Sequence, residues 1–426
     1  MSINTSMTDF TNSLQSIYGC DEKIISIQKN RYKKLSENFE KTFGTKPELF
    51  FSSPGRTELS GNHTDHNHGK VIAASINLDS IAAASPNNDE VVLSSEGFTD
   101  PFIINLHSTQ PVDEEKGSTN ALIRGVAAVF RNRGYSIGGF NAYIFSDVLI
   151  GSGLSSSASI EVLIGTIFNH FYNKGKISSE EIAIIGQYAE NNFFGKPCGL
   201  MDQLACAIGG IIEIDFSNPQ NPIINKLEFD FSSTGYKLII VDTEADHTNL
   251  TGDYAAIPEE MKRVANYFNK EFCSELSLEE LIKNIKSARE NVSDRAILRA
   301  IHFLQENLRV DKQINALNKN DFDEFLRLVN ESGDSSYKYL QNIYSPQNIE
   351  KQNISLALAM TEIFIKQKGK GACRIHGGGF AGTIQVFIPE KLVDEYKSHM
   401  SKLLNERSIK VLSIRNKGVL LLNNFQ

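Results

Sequence analysis

Apolar residues along this chain recur in two rhythms, one of three to four residues and one nearer two, and the two are interleaved. From about Asp21 to Phe43, spaced apolar positions among Lys and Glu predict a helical lead-in. Leu49-Phe50-Phe51 predicts a short strand that runs into a glycine- and histidine-rich loop. Two extended runs, Ser80–Ser85 and Glu90–Ser94, flank the turn formers Pro86-Asn87-Asn88-Asp89 and predict a hairpin. Ala121–Arg133 reads as an amphipathic helix. Phe140–Ile150 reads as a strand buried on both faces. Ile160, Leu163, Ile164, Ile167, Phe168 and Phe171 mark one apolar helix face, and a further helix is expected over Ser179–Asn191. Beyond lie a strand at Lys237–Asp242, several helices between about Pro258 and Lys366, and short strands at Thr383–Ile388 and Gly418–Leu422. Strands and helices are mixed rather than regularly alternating, which predicts an α+β fold with layered sheets rather than a doubly wound one. Ser217-Asn218-Pro219-Gln220-Asn221-Pro222 is the best linker candidate, so two domains are expected, 1–216 and 223–426.

Composition narrows the function. At 426 residues and 41% hydrophobic content, the chain can build a sizeable core. With 43 basic and 51 acidic residues the net charge is −8, which argues against a general nucleic-acid binder. The five cysteines form no CxxC pair, as expected of free thiols in a reducing cytosol. Met1–Tyr18 carries no apolar run of the secretory type, and no stretch approaches the ~18 apolar residues of a membrane span. A cytoplasmic protein without membrane or nucleic-acid partners is expected.

Three glycine-rich loops carry the candidate chemistry. The first, Pro54–Gly69, packs glycines, histidines, Arg56, Glu58 and Asp65 into a segment with much hydrogen-bonding capacity and little apolar surface, suited to a polyhydroxylated ligand such as a sugar. His63, Asp65, His66 and His68 also invite a metal, but their spacing matches no helical HxxxH or HExxH site. The second loop, Gly151-Ser152-Gly153-Leu154-Ser155-Ser156-Ser157, runs straight into a helix. Glycines let the backbone approach an anion, the helix start offers free N–H groups, and serine hydroxyls add donors and can ligate Mg²⁺. The loop lacks the Walker ending, and a serine-capped helix is the structural alternative to the favoured phosphate cradle. Asp202, where a loop turns into an apolar stretch, either caps a helix or orients and deprotonates an attacking hydroxyl. The third loop, Ile375–Thr383, is either a close approach to a ligand or a tight turn.

Together these segments resemble the GHMP small-molecule kinases, and within them the galactokinase family. The family's Gly-Arg-x-x-x-x-Gly-Glu-His-Thr-Asp-Tyr-Asn-x-Gly segment reads here from Gly55-Arg56 through Gly61-Asn62-His63-Thr64-Asp65-His66-Asn67-His68-Gly69. Gly-Leu-Ser-Ser-Ser-Ala-Ser is unbroken from Gly153 to Ser159. Gly377–Gly382 matches the third loop with Ala381 in place of a glycine, and Pro197–Gln203 matches the segment of the catalytic aspartate. The resemblance implies a two-domain GHMP kinase-like fold with the active site between the domains. It implies ATP and Mg²⁺, and phosphate transfer to the anomeric hydroxyl of a sugar, D-galactose in the first instance. It implies Asp202 as catalytic carboxylate with Arg56 beside it, and Ser157 and Glu190 as Mg²⁺ ligands. Asn62, His63, Asp65, Gly199 and Tyr254 fall at sugar-contacting positions. Gly151, Gly153, Leu154, Ser155, Ser156, Ser157, Gly378 and Gly379 fall at nucleotide-binding ones.

The chain departs from the pattern at Asn62, where the family has glutamate, and at His66, where it has tyrosine. Loss of the negative charge would repel a sugar carboxylate less, so galacturonate joins galactose and arabinose as candidate substrates. A ligand-sensing regulator without catalysis is the alternative from another class, and it is disfavoured by the intact Ser155–Ala158, Arg56 and Asp202. A mevalonate- or homoserine-type kinase is disfavoured by His63-Thr64-Asp65.

Overall fold

The computed structural model describes residues 2–148, 153–245 and 250–422, with side chains from residue 10 onward. In chain order it runs α1 (Ser2–Tyr18), α2 (Glu22–Phe43), β1 (Leu49–Ser60), β2 (Lys70–Pro86), β3 (Glu90–Ser95), β4 (Phe102–Asn105), α3 (Thr119–Asn132), β5 (Phe140–Ser146), α4 (Ser156–Asn173) and α5 (Ser179–Ala189). There follow α6 (Met201–Ile208), β6 (Ile211–Asp215), β7 (Ile223–Leu227), β8 (Tyr236–Asp242), α7 (Thr251–Tyr267), α8 (Leu278–Lys283), α9 (Ile285–Asn291), α10 (Asp294–Asn318) and α11 (Phe322–Ser335). The chain ends with α12 (Asn353–Lys368), β9 (Ala372–His376), β10 (Thr383–Pro389), α13 (Val393–Met400), β11 (Ile409–Leu412) and β12 (Leu420–Leu422).

The strands form an 8-stranded sheet, β12-β1-β2-β5-β3-β4 with β6 and β7 branching from β2, and a 4-stranded sheet, β11-β8-β10-β9. This is the mixed α+β arrangement that the sequence pattern implies. The branch follows from the length of β2: its first half pairs β6 (Lys70↔Asp215) and its second half pairs β5 (Ser80↔Ser146), while β1 lies along its other edge. Successive residues of β2 feed different cores, as a period of two requires. Ala82 and Ala84 pack with α3, α4 and α5, whereas Ile81 and Ala83 pack under α1 and α2 with Tyr32, Leu35 and Phe39. The large sheet is therefore covered on both faces, and α1, which the sequence left unassigned, covers one of them with Phe10, Leu14 and Ile17. A third core joins Ile72 and Ala74 of the large sheet to Leu238, Ile240 and Phe387 of the small one.

Two sequence expectations need correction. Ser80–Ser85 and Glu90–Ser94 do not form a hairpin: β5 lies between them, antiparallel to β2 and parallel to β3. The turn is opened by Gly139, whose carbonyl accepts the Asn87 N–H at 2.8 Å and which lies so near the Glu90 backbone that no Cβ would fit. Likewise Pro54–Ser60 is not loop. β1 continues through it, with register shifts at Pro54/Arg56 and Glu58/Ser60, and these polar residues are buried. Strands from the small sheet supply their partners. Arg374 and Gln385 donate to the Glu58 carbonyl at 3.0 and 2.9 Å, and Arg374 also pairs with the Glu58 carboxylate at 2.6 Å. The segment 217–222 forms the turn of the β6–β7 hairpin, and β12 returns from the far end of the chain to pair with β1. Phe140–Ile150 is a strand only as far as Ser146, and residues 149–152 lie outside the described residues.

Candidate active site

Where β1, the start of α4, the start of α6 and the loop after β9 converge, a cavity of about 890 Å³ opens. Arg56, Gly153, Ser155, Ser156, Ser157, Glu190, Asp202, Tyr254, Gly378 and Gly379 line it, so the structure brings most of the sequence-predicted residues to one wall or another. Gly151 lies outside the described residues. Leu154 is buried behind the wall, and its carbonyl accepts the Arg56 N–H at 3.1 Å. That approach leaves no room for a side chain at Gly55, whose Cβ would stand 2.8 Å from the same carbonyl.

Arg56 and Asp202 form a bidentate pair, Nε to Oδ1 and Nη2 to Oδ2, both at 2.7 Å. Arg56 Nη1 donates to the Gly153 carbonyl, which ties the guanidinium to the second glycine loop. Ser155 donates its hydroxyl to Asp202 Oδ2. Burial pushes the Asp202 carboxyl up, but the Arg56 charge and the hydrogen bonds from Arg56 and Ser155 outweigh it and hold the pKa below the usual aspartate value. The capping alternatives are answered by these contacts. Asp202 sits in the first turn of α6 but makes no cap hydrogen bond there, and Ser155 precedes α4 in a left-handed conformation (φ 60°) with its hydroxyl turned to Asp202 rather than to the helix. A non-glycine residue held there costs about 1–3 kcal/mol, the kind of strain that collects at functional sites.

Glu190 begins a π turn, Glu190–Phe194, that continues α5. Its Oε1 accepts from Ser157 Oγ at 2.9 Å and from Lys196 Nζ at 3.2 Å; its Oε2 accepts from Gln203 Nε2 at 2.9 Å and from Cys198 Sγ at 3.1 Å. One hydroxyl and one braced carboxylate at the cavity wall fit Mg²⁺, which takes few protein oxygens and completes its shell with phosphate and water. Among the described residues there is no cluster of three or more His, Cys, Asp or Glu that could hold a metal, so the first-loop histidines form no such site.

The predicted sugar-side residues divide. Tyr254 lines the cavity and donates to the Gly379 carbonyl at 2.8 Å. His63, Asp65, Gly199 and Asn62 do not line this cavity; Asn62 is buried and the other three are half-buried. His63 Nε2 lies 2.7 Å from the Gly378 carbonyl, and burial pushes its pKa down to about 4, so the neutral ring donates. The Asp65 carboxylate rests against Gly199, where a Cβ would collide with it. Asn62 is fully buried. Its amide donates to the Gly377 carbonyl at 2.7 Å and accepts from Asn342 at 2.9 Å and Ser336 at 3.2 Å.

Sequence reasoning missed three parts of the site. Lys196 lines the cavity beside Glu190. His376 also lines it; burial and the neighbouring Arg56 keep this ring neutral, accepting from the Glu58 N–H at 3.3 Å and bonded to Thr383 Oγ1 at 2.9 Å. The far end of the cavity is apolar, with Leu93, Phe98, Phe102, Leu122, Ile144 and Phe194, and suits the flat face of a purine. Lys196 and His376 border glycine loops and so had a positional signal; the apolar residues are indistinguishable from core in sequence.

Comparison with known proteins identifies the family. Residues 37–86 match the galactokinase galactose-binding signature, and residues 121–210 match the GHMP kinases N terminal domain. A galactokinase of Clostridium acetobutylicum is 33% identical over 379 residues, 85% of this chain and 90% of that protein. One from Clostridium beijerinckii is 32% identical over 399 residues, 89% and 96% of the two chains. The crystal structure of Lactococcus lactis galactokinase complexed with galactose superposes with a TM-score of 0.78 at 24% identity, covering 91% of this chain and 99% of that one. A mevalonate kinase structure superposes at 0.61 and 19% identity, over 87% of this chain and 100% of that one, and shares the fold. This chain is a member of the galactokinase family of GHMP kinases.

Proposed function

We propose that this protein transfers the terminal phosphoryl group of ATP to the anomeric hydroxyl of D-galactose, giving galactose 1-phosphate and ADP. The observation that carries the reading is the Arg56–Asp202 pair, placed where the phosphate loop, the sugar segment and the third glycine loop meet. The apolar end of the cavity takes the adenine, and the start of α4 with the hydroxyls of Ser155–Ser157 takes the phosphates. Mg²⁺, held by Ser157 and Glu190, would neutralise phosphate charge. Phosphoryl transfer asks the protein for alignment and charge compensation more than for covalent chemistry. Asp202 accepts the hydrogen bond of the sugar hydroxyl and aims its oxygen at the phosphorus. The new O–P bond forms as the bond to the ADP oxygen breaks, and the hydroxyl proton passes to Asp202. A carboxylate held below its ordinary pKa is a weak base, so this proton moves late. Arg56 keeps Asp202 ionised and presents its remaining donors to the transferring group.

Because the Asn62 amide is buried and fully engaged, its effect on the sugar is exerted through the third loop rather than by contact. A neutral sugar therefore remains the expected substrate. A kinase assay on galactose, galacturonate, arabinose and N-acetylgalactosamine, with the products identified, tests this. Galactose should be preferred and yield the 1-phosphate. ATP consumption that does not depend on sugar, or a galacturonate preference, overturns the reading.

A further inference from the structure

Among the described residues, Arg56 and Lys196 are the lysine and arginine side chains that line the cavity. Their situations differ. Arg56 commits Nε and Nη2 to Asp202 and Nη1 to Gly153, and only 8% of its side chain is exposed. Lys196 has a single partner, Glu190 Oε1, and 61% of its side chain is exposed, whereas Glu190 is 1% exposed. The two belong to one turn: the backbone N–H groups of Gly195 and Lys196 both donate to the Glu190 carbonyl, at 3.0 and 3.2 Å, so the ammonium is tethered near the carboxylate by a short, fixed backbone. The oxygen that Lys196 holds is the one that Ser157 also reaches, at 2.9 Å. A divalent cation at Ser157 and Glu190 would take that oxygen and repel the ammonium.

Resting on the kinase reading, we infer that Lys196 is a nucleotide-phosphate ligand that occupies the Glu190 carboxylate until a divalent cation and a polyphosphate arrive. In the nucleotide-free enzyme it supplies a countercharge to a buried carboxylate whose other partners, Ser157, Gln203 and Cys198, are neutral. Once released, its three N–H donors are offered to the cavity that Ser155–Ser157 also line, and meet the charge that Arg56 cannot cover alone. One side chain thus opposes metal binding in the empty site and favours nucleotide binding in the loaded one.

These two effects have opposite signs, which makes the inference testable with Lys196→Met. Mn²⁺ alone, titrated into nucleotide-free protein and followed by its paramagnetic resonance, should bind about fivefold more tightly to the variant, the size of a partly exposed ion pair removed. ATP with Mg²⁺, measured calorimetrically without sugar, should bind roughly tenfold more weakly, the loss of one charge-assisted hydrogen bond. Adenosine should bind both proteins equally, which shows that the pocket is intact. Lys196→Arg should restore most of the ATP affinity. Unchanged ATP affinity in Lys196→Met, or weaker Mn²⁺ binding, overturns the inference. Failure of the wild-type protein itself to bind ATP overturns the kinase reading instead, and the inference with it.

Discussion

Two arginine-paired carboxylates in this molecule have nearly the same kinds of partner and different surroundings. Asp79, on β2, is bound by Arg31, Arg415, Ser52 and Tyr18. Asp202 is bound by Arg56 and Ser155. Each therefore has arginine and a serine hydroxyl, and in each these outweigh burial and hold the pKa below the ordinary value. The difference is access. The Asp79 side chain is 0% exposed, with arginines from both ends of the chain closed over it, whereas that of Asp202 is 23% exposed toward the cavity. Asp79 ties α1 and α2 and the residue Arg415 to the sheet and leaves nothing free. Asp202 keeps an open side on which a hydroxyl can sit. Arginine pairing and a lowered pKa do not set Asp202 apart from Asp79; the unfilled position at the cavity wall does, and the catalytic role proposed for Asp202 rests on it.

The largest expected effect breaks the open member of the pair. Asp202→Asn should lower kcat by roughly 10³-fold or more, since both the positioning of the hydroxyl and the acceptance of its proton depend on the charge. Galactose affinity, measured by equilibrium dialysis, should change little. Near-normal turnover would remove Asp202 from the mechanism. The matching change in the closed cluster, Asp79→Asn, should instead cost about 3–5 kcal/mol of stability, because Arg31 and Arg415 lose the charge that compensates them. Urea unfolding would read the loss, while kcat per folded molecule should stay near the wild-type value. A large drop in kcat with unchanged stability would mean that the two clusters are not separated as described.

The comparison also shows why sequence was informative about one region and not the other. As residues of the cavity wall, Arg56, Ser155, Ser157 and Asp202 were legible because short motifs fix their neighbours, and Glu190 because it precedes Asp202 by twelve residues as the family pattern requires; the mixed fold was legible from interleaved periodicities. Asp79 gave no signal, since its partners lie at Tyr18, Arg31, Ser52 and Arg415 and only folding brings them together. The same holds for Pro54–Ser60. A polar run reads as a loop until Arg374 and Gln385, more than three hundred residues on, supply its hydrogen bonds. Asn62 looked like a ligand contact because of its motif, yet Ser336 and Asn342 claim it. The misread hairpin has the same origin: nothing local says that β5 will separate β2 from β3.

Mild acid separates carboxylates from histidines. Both aspartates have lowered pKa values, so the stability they give is complete above the ordinary carboxylate range and is lost only below it. His63, His302 and His376 are also held neutral by burial, His63 at about 4 against an ordinary 6.5. The unfolded chain takes up these protons below pH 6.5 and the folded chain does not, so the stability is full above 6.5 and falls as the pH drops toward the folded values. Each such histidine contributes a slope of about 1.4 kcal/mol per pH unit there. Urea midpoints should therefore decline between pH 6.5 and 5 with both carboxylate clusters intact, and His63→Gln should flatten the decline by one histidine's share. A flat profile in the wild type would contradict the neutral state of these rings.

The smallest effects come from the two serines. Ser52 and Ser155 each donate a hydroxyl to Oδ2 of their aspartate, and Ser52 Oγ also accepts from Arg415 Nη1 at 2.7 Å, so deleting Ser155 removes one hydrogen bond to a charged group and deleting Ser52 removes two, each about 1.5 kcal/mol or a little more. In the closed cluster, Ser52→Ala should appear wholly as lost stability, because Ser52 and Asp79 are both sealed from solvent. In the open cluster the hydroxyl of Ser155 helps to keep Asp202 ionised and holds its carboxylate in place. Ser155→Ala should thus lower kcat by roughly tenfold while shifting the urea midpoint less than Ser52→Ala does, since water from the cavity can replace the lost donor. The two alanine variants, compared for kcat and for unfolding, place the same chemical deletion in each environment. If both lost stability equally and neither lost turnover, access to the cavity would not be what separates Asp202 from Asp79.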